Sequence, residues 1–190
     1  EGGVWPLLRD FRHESRHTAD CVSFMAFSGE LAAANSPEGL LDCVTAFYQT
    51  RGVGLLGMGQ VFRARRTGDG AELVPVEDRP PVRLADLVGY RQQKDLLIRN
   101  TEAFLRGKGS NNVLLYGDAG TGKSTSIQAL VNEYADQGLR LIELYKEQYD
   151  LIPDILRQVK GRNYRFLLFL DDLSFEENET SYKYLKAVME

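Results

Sequence analysis

The sequence predicts an α/β fold in which a parallel sheet is flanked by helices. Two observations lead to this fold class. Short apolar runs typical of buried strands alternate along residues 81–190 with segments whose apolar side chains recur at helical spacing. One of these runs, Val113–Tyr116, leads into a glycine-rich loop and then into a helix. Because parallel strands are joined by crossover helices, this alternation is typical of a parallel sheet covered on both faces.

Residues 1–80 are predicted to form a separate, small α+β region of helices followed by a β-hairpin. The clearest helix is Pro37–Thr50, in which proline begins the first turn and apolar residues follow at helical spacing. Met58–Arg66 and Ala71–Val76 resemble two strands joined by a Gly-Asp-Gly turn. Residues 77–81 read Glu-Asp-Arg-Pro-Pro, which is the composition of a linker. We therefore expect the second domain to begin at residue 81.

The elements expected in the second domain follow from the same patterns. In chain order they are helix Gln92–Leu105, strand Val113–Tyr116, helix Ser124–Gln137, strand Leu139–Leu144, helix Leu151–Lys160, strand Phe166–Leu170 and helix Ser181–Met189. The helix after the glycine-rich loop carries an apolar face at Ile127, Leu130 and Val131. Gly138 follows it directly, and a glycine at that position commonly ends a helix.

Composition restricts the range of partners. The 190 residues are 43% hydrophobic and 26% charged, as in a globular protein, and the net charge of −4 argues against nucleic acid as a partner. No apolar run approaches the roughly 18 residues of a membrane helix, so no membrane partner is expected. Arg63, Arg65 and Arg66 are expected to lie on a solvated strand rather than in a binding patch. Cys21 and Cys43 lack metal-ligand spacing, which predicts buried free thiols and a cytoplasmic location.

A phosphate-binding loop is the clearest functional motif. Residues 117–124 read Gly-Asp-Ala-Gly-Thr-Gly-Lys-Ser and fill every fixed position of G-x-x-x-x-G-K-[ST]. Glycines let the backbone curl so that successive N–H groups face an anion at a helix N-terminus. Lys123 is then expected to reach the β- and γ-phosphates and the Ser124 hydroxyl to ligate Mg²⁺. The predicted nucleotide contacts in this loop are Gly117, Asp118, Ala119, Gly120, Thr121, Gly122, Lys123, Ser124 and Thr125.

Two carboxylates supply the second half of the predicted site. Asp171 and Asp172 follow the apolar strand Phe166–Leu170, and strand ends at this edge of a parallel sheet face the ligand crevice. We assign Asp171 to the magnesium shell and Asp172 to orienting or deprotonating the attacking water. In ATPases with this type of site, Glu is the commoner residue at the position of Asp172, and its side chain is one methylene longer than that of Asp. Asp172 therefore either positions water less well or marks a slow switch.

With these residues placed, the chain from about Val82 onward resembles an AAA+ P-loop ATPase. Leu84–Tyr90 looks like the segment that lies over the adenine in that superfamily. The resemblance implies that Val88, Gly89 and Tyr90 contact the base, that the nucleotide is ATP, and that Mg²⁺ is the cofactor. It also implies a homo-oligomer.

Other segments resemble a narrower group, a bacterial AAA+ family of unknown cellular role known as the domain of unknown function 815 group. The resemblance runs from the hairpin near residue 58 to the end, and its motifs are Asn100–Phe104, Asn111–Asp118 and Asp171–Glu176. Because the family is defined without a function, the match supports ATP binding and does not identify a client protein. Tyr145–Tyr149 stands where protein-remodelling relatives carry a pore loop, and we favour the alternative of tyrosines packed on the domain surface.

The resemblance further implies parts that follow the Walker B strand. AAA+ proteins have two more strands and a helical lid there, which supply sensor residues and an arginine that reaches a neighbour's nucleotide. One of those strands lies between the strands expected at 113–116 and 166–170. We expect these parts beyond residue 190, and we expect the fragment alone to hydrolyse ATP weakly or not at all because buried main-chain groups lack partners without them.

Three functions remain open from the sequence. The leading hypothesis is an ATPase that hydrolyses ATP with Mg²⁺ to drive a conformational change in itself or in a partner protein. The alternative is a nucleotide-gated switch or scaffold with little hydrolysis. A small-molecule kinase would use the same loop, but no acceptor pocket or lid arginine is identifiable in the sequence.

Overall fold

The computed structural model describes residues 18–51 and 54–171, and these form two compact units. The first unit ends at Met58 and the second begins at Gly59. The expected boundary between residues 80 and 81 does not coincide with this division, because the β-hairpin joins the sheet of the second unit. The expected helix at 181–189 and Asp172 lie outside the described residues. No helix in the described part of the chain is long and apolar enough to cross a membrane.

The first unit contains the helices α1 (Thr18–Ala33), α2 (Pro37–Arg51) and the single turn α3 (Leu55–Met58). Helix α2 begins where the sequence predicts, because the Ser36 hydroxyl accepts a hydrogen bond from the Gly39 main-chain N–H at 3.1 Å. The rings of Phe27 and Phe47 stack with their centroids 3.8 Å apart and join α1 to α2. Cys43 is a free thiol, half-buried rather than fully buried, and burial together with Glu30 raises its pKa.

The second unit is built on a mostly parallel sheet flanked by helices, which confirms the predicted fold class. Its described strands are β1 (Val61–Thr67), β2 (Gly70–Pro75), β3 (Leu139–Leu144) and β4 (Arg165–Leu170), in the order β2-β1-β3-β4. Strand β3 is parallel to both neighbours, and among these four described strands only the hairpin pair β1–β2 is antiparallel. The helices are α4 (Arg91–Leu105), α5 (Lys123–Tyr134) and α6 (Ile152–Val159). The predicted helices and strands at these positions are confirmed to within a few residues at their ends.

The hairpin is an integral part of the sheet. Phe62 of β1 lies opposite Ile142 of β3 in parallel register and opposite Pro75 of β2 in antiparallel register. Its side chain is fully buried, and its ring packs directly on Gly59. Main-chain hydrogen bonds therefore join the hairpin to β3. The linker-like residues 77–81 that follow the hairpin do not separate it from the sheet.

The strand expected at Val113–Tyr116 is not formed. The segment pairs with no strand among the described residues, and Leu114 and Tyr116 are 69% and 89% exposed. Within the described residues, β4 pairs on one side only, with β3. An apolar run becomes a strand only when a neighbouring strand satisfies its main-chain groups, so the expectation fails for lack of a hydrogen-bonding partner.

Helix α6 covers the outer edge of the hairpin. The Ala71 main-chain N–H on β2 donates to Asp154 Oδ2 at 2.6 Å, and Gln158 Nε2 donates to the Ala71 carbonyl at 2.6 Å. Both side chains belong to α6 and replace the hydrogen bonds that a further strand would make. The edge is thereby protected against pairing with another chain.

This contact makes Gly70 sensitive to substitution. Gly70 has a φ of 135°, and an added Cβ would collide with the Asp154 carboxylate. We expect Gly70→Ala to lower the free energy of unfolding by about 1–3 kcal/mol, measured by urea denaturation. Gly68→Ala in the same turn is the control, because a Cβ there meets nothing within 4 Å. Equal free energies of unfolding for the two variants would contradict the expected collision between a Cβ at residue 70 and the Asp154 carboxylate.

The arginines of β1 are paired with carboxylates, as expected for a solvated strand. Arg63 Nε lies 2.9 Å from Glu143 Oε2, Arg65 Nη2 lies 2.6 Å from Glu72 Oε2, and Arg66 Nη1 lies 2.8 Å from Asp150 Oδ2. All three arginine side chains are more than half exposed. The Arg66 hydrogen bond lowers the pKa of Asp150 and thereby keeps that carboxylate charged.

Candidate functional site

The glycine-rich loop adopts the curled backbone that its sequence predicts. Gly117, Gly120 and Gly122 have φ angles of 140°, 77° and 83°. Gly122 is the N-cap of α5, and its carbonyl accepts the Ser126 main-chain N–H at 2.8 Å. The loop therefore lies directly before a helix N-terminus, where main-chain N–H groups and the helix dipole favour an anion.

Lys123 holds the loop closed on itself. Its Nζ donates hydrogen bonds to the carbonyl oxygens of Gly117 and Asp118, both at 2.8 Å. The Thr121 hydroxyl donates to the same Asp118 carbonyl at 2.9 Å. The ammonium group thus lies across the loop.

The segment expected to lie over the base forms a tight turn before α4, the base turn Leu87–Tyr90. The Leu87 main-chain N–H donates to the Leu84 carbonyl at 3.4 Å, which closes a short 3₁₀ helix. Gly89 and Tyr90 then both have positive φ, at 81° and 49°. Val88 is 94% exposed and Tyr90 is 59% exposed, so both side chains are available to a ligand.

The loop and this turn face one cavity of about 380 Å³. Its size lies within the range of small-molecule and cofactor sites. The lining residues are Asp86, Leu87, Val88, Gly89, Tyr90, Lys94, Gly120, Thr121, Gly122 and Ser126. A Cβ added at Gly120 or Gly122 would meet no atom within 4 Å, so the space beside the loop is open. The cavity thus lies between this turn and the glycine-rich loop.

The sequence placed Asp86 and Leu87 in the segment over the base without naming them as contacts, and it did not identify Lys94 or Ser126 as members of the cavity wall. Lys94 had a usable signal, because it follows Tyr90 by four residues at the start of a helix. Helical side chains point back toward the N-terminus, so a lysine at this position reaches the preceding turn. Ser126 carries no such signal.

Asp171, the predicted magnesium ligand, directly follows the last residue of β4. The Asp171 main-chain N–H donates to the Leu144 carbonyl at 3.4 Å, and Asp171 is exposed. Neither Asp171, Lys123 nor Ser124 is among the residues that line the cavity. Asp172 lies outside the described residues. The structure therefore brings the predicted loop and base turn together, but it does not join them to the predicted magnesium ligand Asp171.

The tyrosines after β3 differ in exposure. Tyr149 is buried, and its hydroxyl donates to the Asp171 carbonyl at 3.4 Å, whereas Tyr145 is 45% exposed. A buried tyrosine is not placed to grip a threaded peptide. Packing therefore accounts for Tyr149, as the favoured alternative expected.

These features define the class of protein. A phosphate-binding loop before a helix and a base-side turn face one cavity in an α/β domain with a mostly parallel sheet, as in an AAA+ P-loop ATPase. The model of the family described as "Protein of unknown function (DUF815)" matches residues 58–190, and the chain belongs to that family. The resemblance stated from the sequence is thereby confirmed.

Curated relatives support the same class. The chain is 36% identical over 90 residues to the replication factor C large subunit of Staphylothermus marinus, covering 47% of this chain and 21% of that protein. It is 31% identical over 104 residues to the replication factor C large subunit of Methanococcus vannielii, covering 52% of this chain and 21% of that protein. The alignment thus spans about a fifth of each relative. No solved structure matches the chain significantly.

Proposed function

We propose that this chain binds ATP together with Mg²⁺ and hydrolyses it to drive a conformational change in itself or in a partner protein. The observation that carries the proposal is the single cavity formed by the base turn and the phosphate-binding loop. A nucleotide has a flat aromatic base and an anionic tail, and the two walls of this cavity suit those two parts.

The proposed roles follow from the positions of the side chains. Lys123 exchanges its two loop carbonyls for phosphate oxygens and neutralises charge on them. Ser124 and Asp171 offer the oxygen ligands that Mg²⁺ prefers, and Asp172 orients the water. Bound magnesium supplies charge stabilisation for phosphoryl transfer. Mg²⁺ is usually held by one or two carboxylates plus phosphates, so Asp171 together with the Ser124 hydroxyl suits this donor set.

We further propose that the protein works as a cytoplasmic oligomer with a protein client. The names of the relatives describe one subunit of a larger factor, which supports an assembly of several subunits. In the proposed oligomer a neighbouring subunit completes the catalytic site. The competing function is a switch with slow turnover, which Asp172 favours because it is one methylene shorter than the usual Glu.

The test is phosphate release from Mg-ATP by the full-length protein across a range of protein concentrations. We expect turnover per subunit to rise with concentration, because association completes the site. Asp171→Asn is expected to lower turnover by about 10²-fold while ATP binding persists, because the neutral amide is a poorer magnesium ligand. ATP binding without turnover at any concentration would reject the motor and support the switch. Absence of ATP binding would reject both.

A further inference from the structure

The base turn holds an unfavourable backbone conformation. Tyr90 is the one non-glycine residue with positive φ among residues 18–51 and 54–171, and it follows Gly89, which is also left-handed. A side chain with a Cβ occupies this region at a cost, so a surrounding contact must maintain it. Val88 and Tyr90 are both largely exposed, and packing of these side chains therefore contributes little to holding the turn.

Lys94 supplies that contact. Its Nζ donates to the Leu87 carbonyl at 2.6 Å, and its main-chain N–H donates to the Tyr90 carbonyl at 2.9 Å. One residue thus binds both ends of the turn Leu87–Tyr90. The side-chain contact is a charge-assisted hydrogen bond, which is stronger than a neutral one. The nearby Asp86 carboxylate accepts a hydrogen bond from the main-chain N–H of Arg83, a residue that precedes the turn.

Lys94 also lies in the wall of the cavity, whereas Lys123 is bonded to the opposite, phosphate-binding side. We propose that Lys94 is a positioning residue for the base: its ammonium group clamps the Leu87 carbonyl and keeps the turn in the conformation that receives a purine. This inference rests on the proposed nucleotide-binding function. It assigns Lys94 to recognition of the base and leaves recognition of the phosphates to the loop.

The experiment compares two ligands on the full-length protein. ATP uses both walls of the cavity, whereas inorganic triphosphate uses the loop alone. The variants are Lys94→Met, which keeps the length of the side chain without the donor, and Lys94→Arg, which keeps a cationic donor. Lys160→Met is the matched control, because Lys160 is exposed at the end of α6. Dissociation constants for both ligands are measured by calorimetry.

We expect Lys94→Met to weaken ATP binding about tenfold, the loss of one charged hydrogen bond, with triphosphate affinity changed less than twofold. Lys94→Arg is expected to restore most of the ATP affinity, and Lys160→Met to match the unmodified protein. Equal losses for both ligands, or unchanged ATP affinity in Lys94→Met, would overturn the inference. Failure of the unmodified protein to bind ATP would instead reject the proposed function.

Discussion

Lys123→Ala is expected to reduce ATP hydrolysis by about 10²–10³-fold, as removal of one preorganised hydrogen-bond donor does in other active sites. ATP affinity is expected to fall by roughly 10–100-fold, because a hydrogen bond to a charged group is worth about 1.5–3 kcal/mol. The physical reason is that the ammonium group already lies across the loop, bonded to the carbonyls of Gly117 and Asp118. Phosphate release and equilibrium ATP binding by the full-length protein measure the two effects.

Lys160→Ala is the matched control for Lys123→Ala, because it removes an exposed lysine of the same unit. Thermal unfolding of both variants checks that the loop variant remains folded. If Lys123→Ala hydrolysed ATP at a rate within tenfold of that of the unmodified protein, the result would contradict the assignment of the loop as the phosphate site.

Phe62→Ala is expected to lower the free energy of unfolding by about 3–5 kcal/mol, the usual cost of truncating a buried phenylalanine. Phe62 is 0% exposed, and β1 is hydrogen-bonded to β3 in parallel register. The cavity left behind therefore weakens the whole sheet of the second unit and not the hairpin alone. Urea denaturation gives the stability, and hydrogen exchange at the main-chain amides of β3 and β4 reports how far the effect extends.

Arg65→Ala is the control on the same strand, because its side chain is 65% exposed and pairs only at the surface with Glu72. Exposed ion pairs contribute about 0–1 kcal/mol, so little change is expected. If Phe62→Ala accelerated exchange only within the hairpin, the hairpin would be a separate module, as a boundary at residue 80 implies.

Local signals predicted the helices and the hairpin well. Helix α2 begins beside a Ser-Pro pair, and the hairpin turns at glycines, so each depends on a few neighbouring residues. The segment Val113–Tyr116 shows the limit of such reasoning. It has the composition of a buried strand, yet it pairs with no strand among the described residues. A strand depends on a partner that the composition of the segment does not specify.

The candidate site also has one part that the sequence predicted and another that it did not. The phosphate-binding loop is a continuous motif, and its glycines adopt the positive φ angles that the motif needs. The base turn was placed by resemblance, but its clamp by Lys94 was not anticipated. That contact follows from the direction of one helical side chain at the start of α4, and the spacing of Tyr90 and Lys94 is the sequence signal for it.

The sequence by itself determined the fold class, the glycine loop before α5 and the helices, because each follows from residues close together in the chain. The tertiary structure decided that the hairpin belongs to the second unit. Arg63 and Glu143, 80 residues apart, form an ion pair across neighbouring strands. The tertiary structure also decided which side chains close the cavity. Strand neighbours and cavity walls are pairings between distant segments, and their energies depend on three-dimensional register.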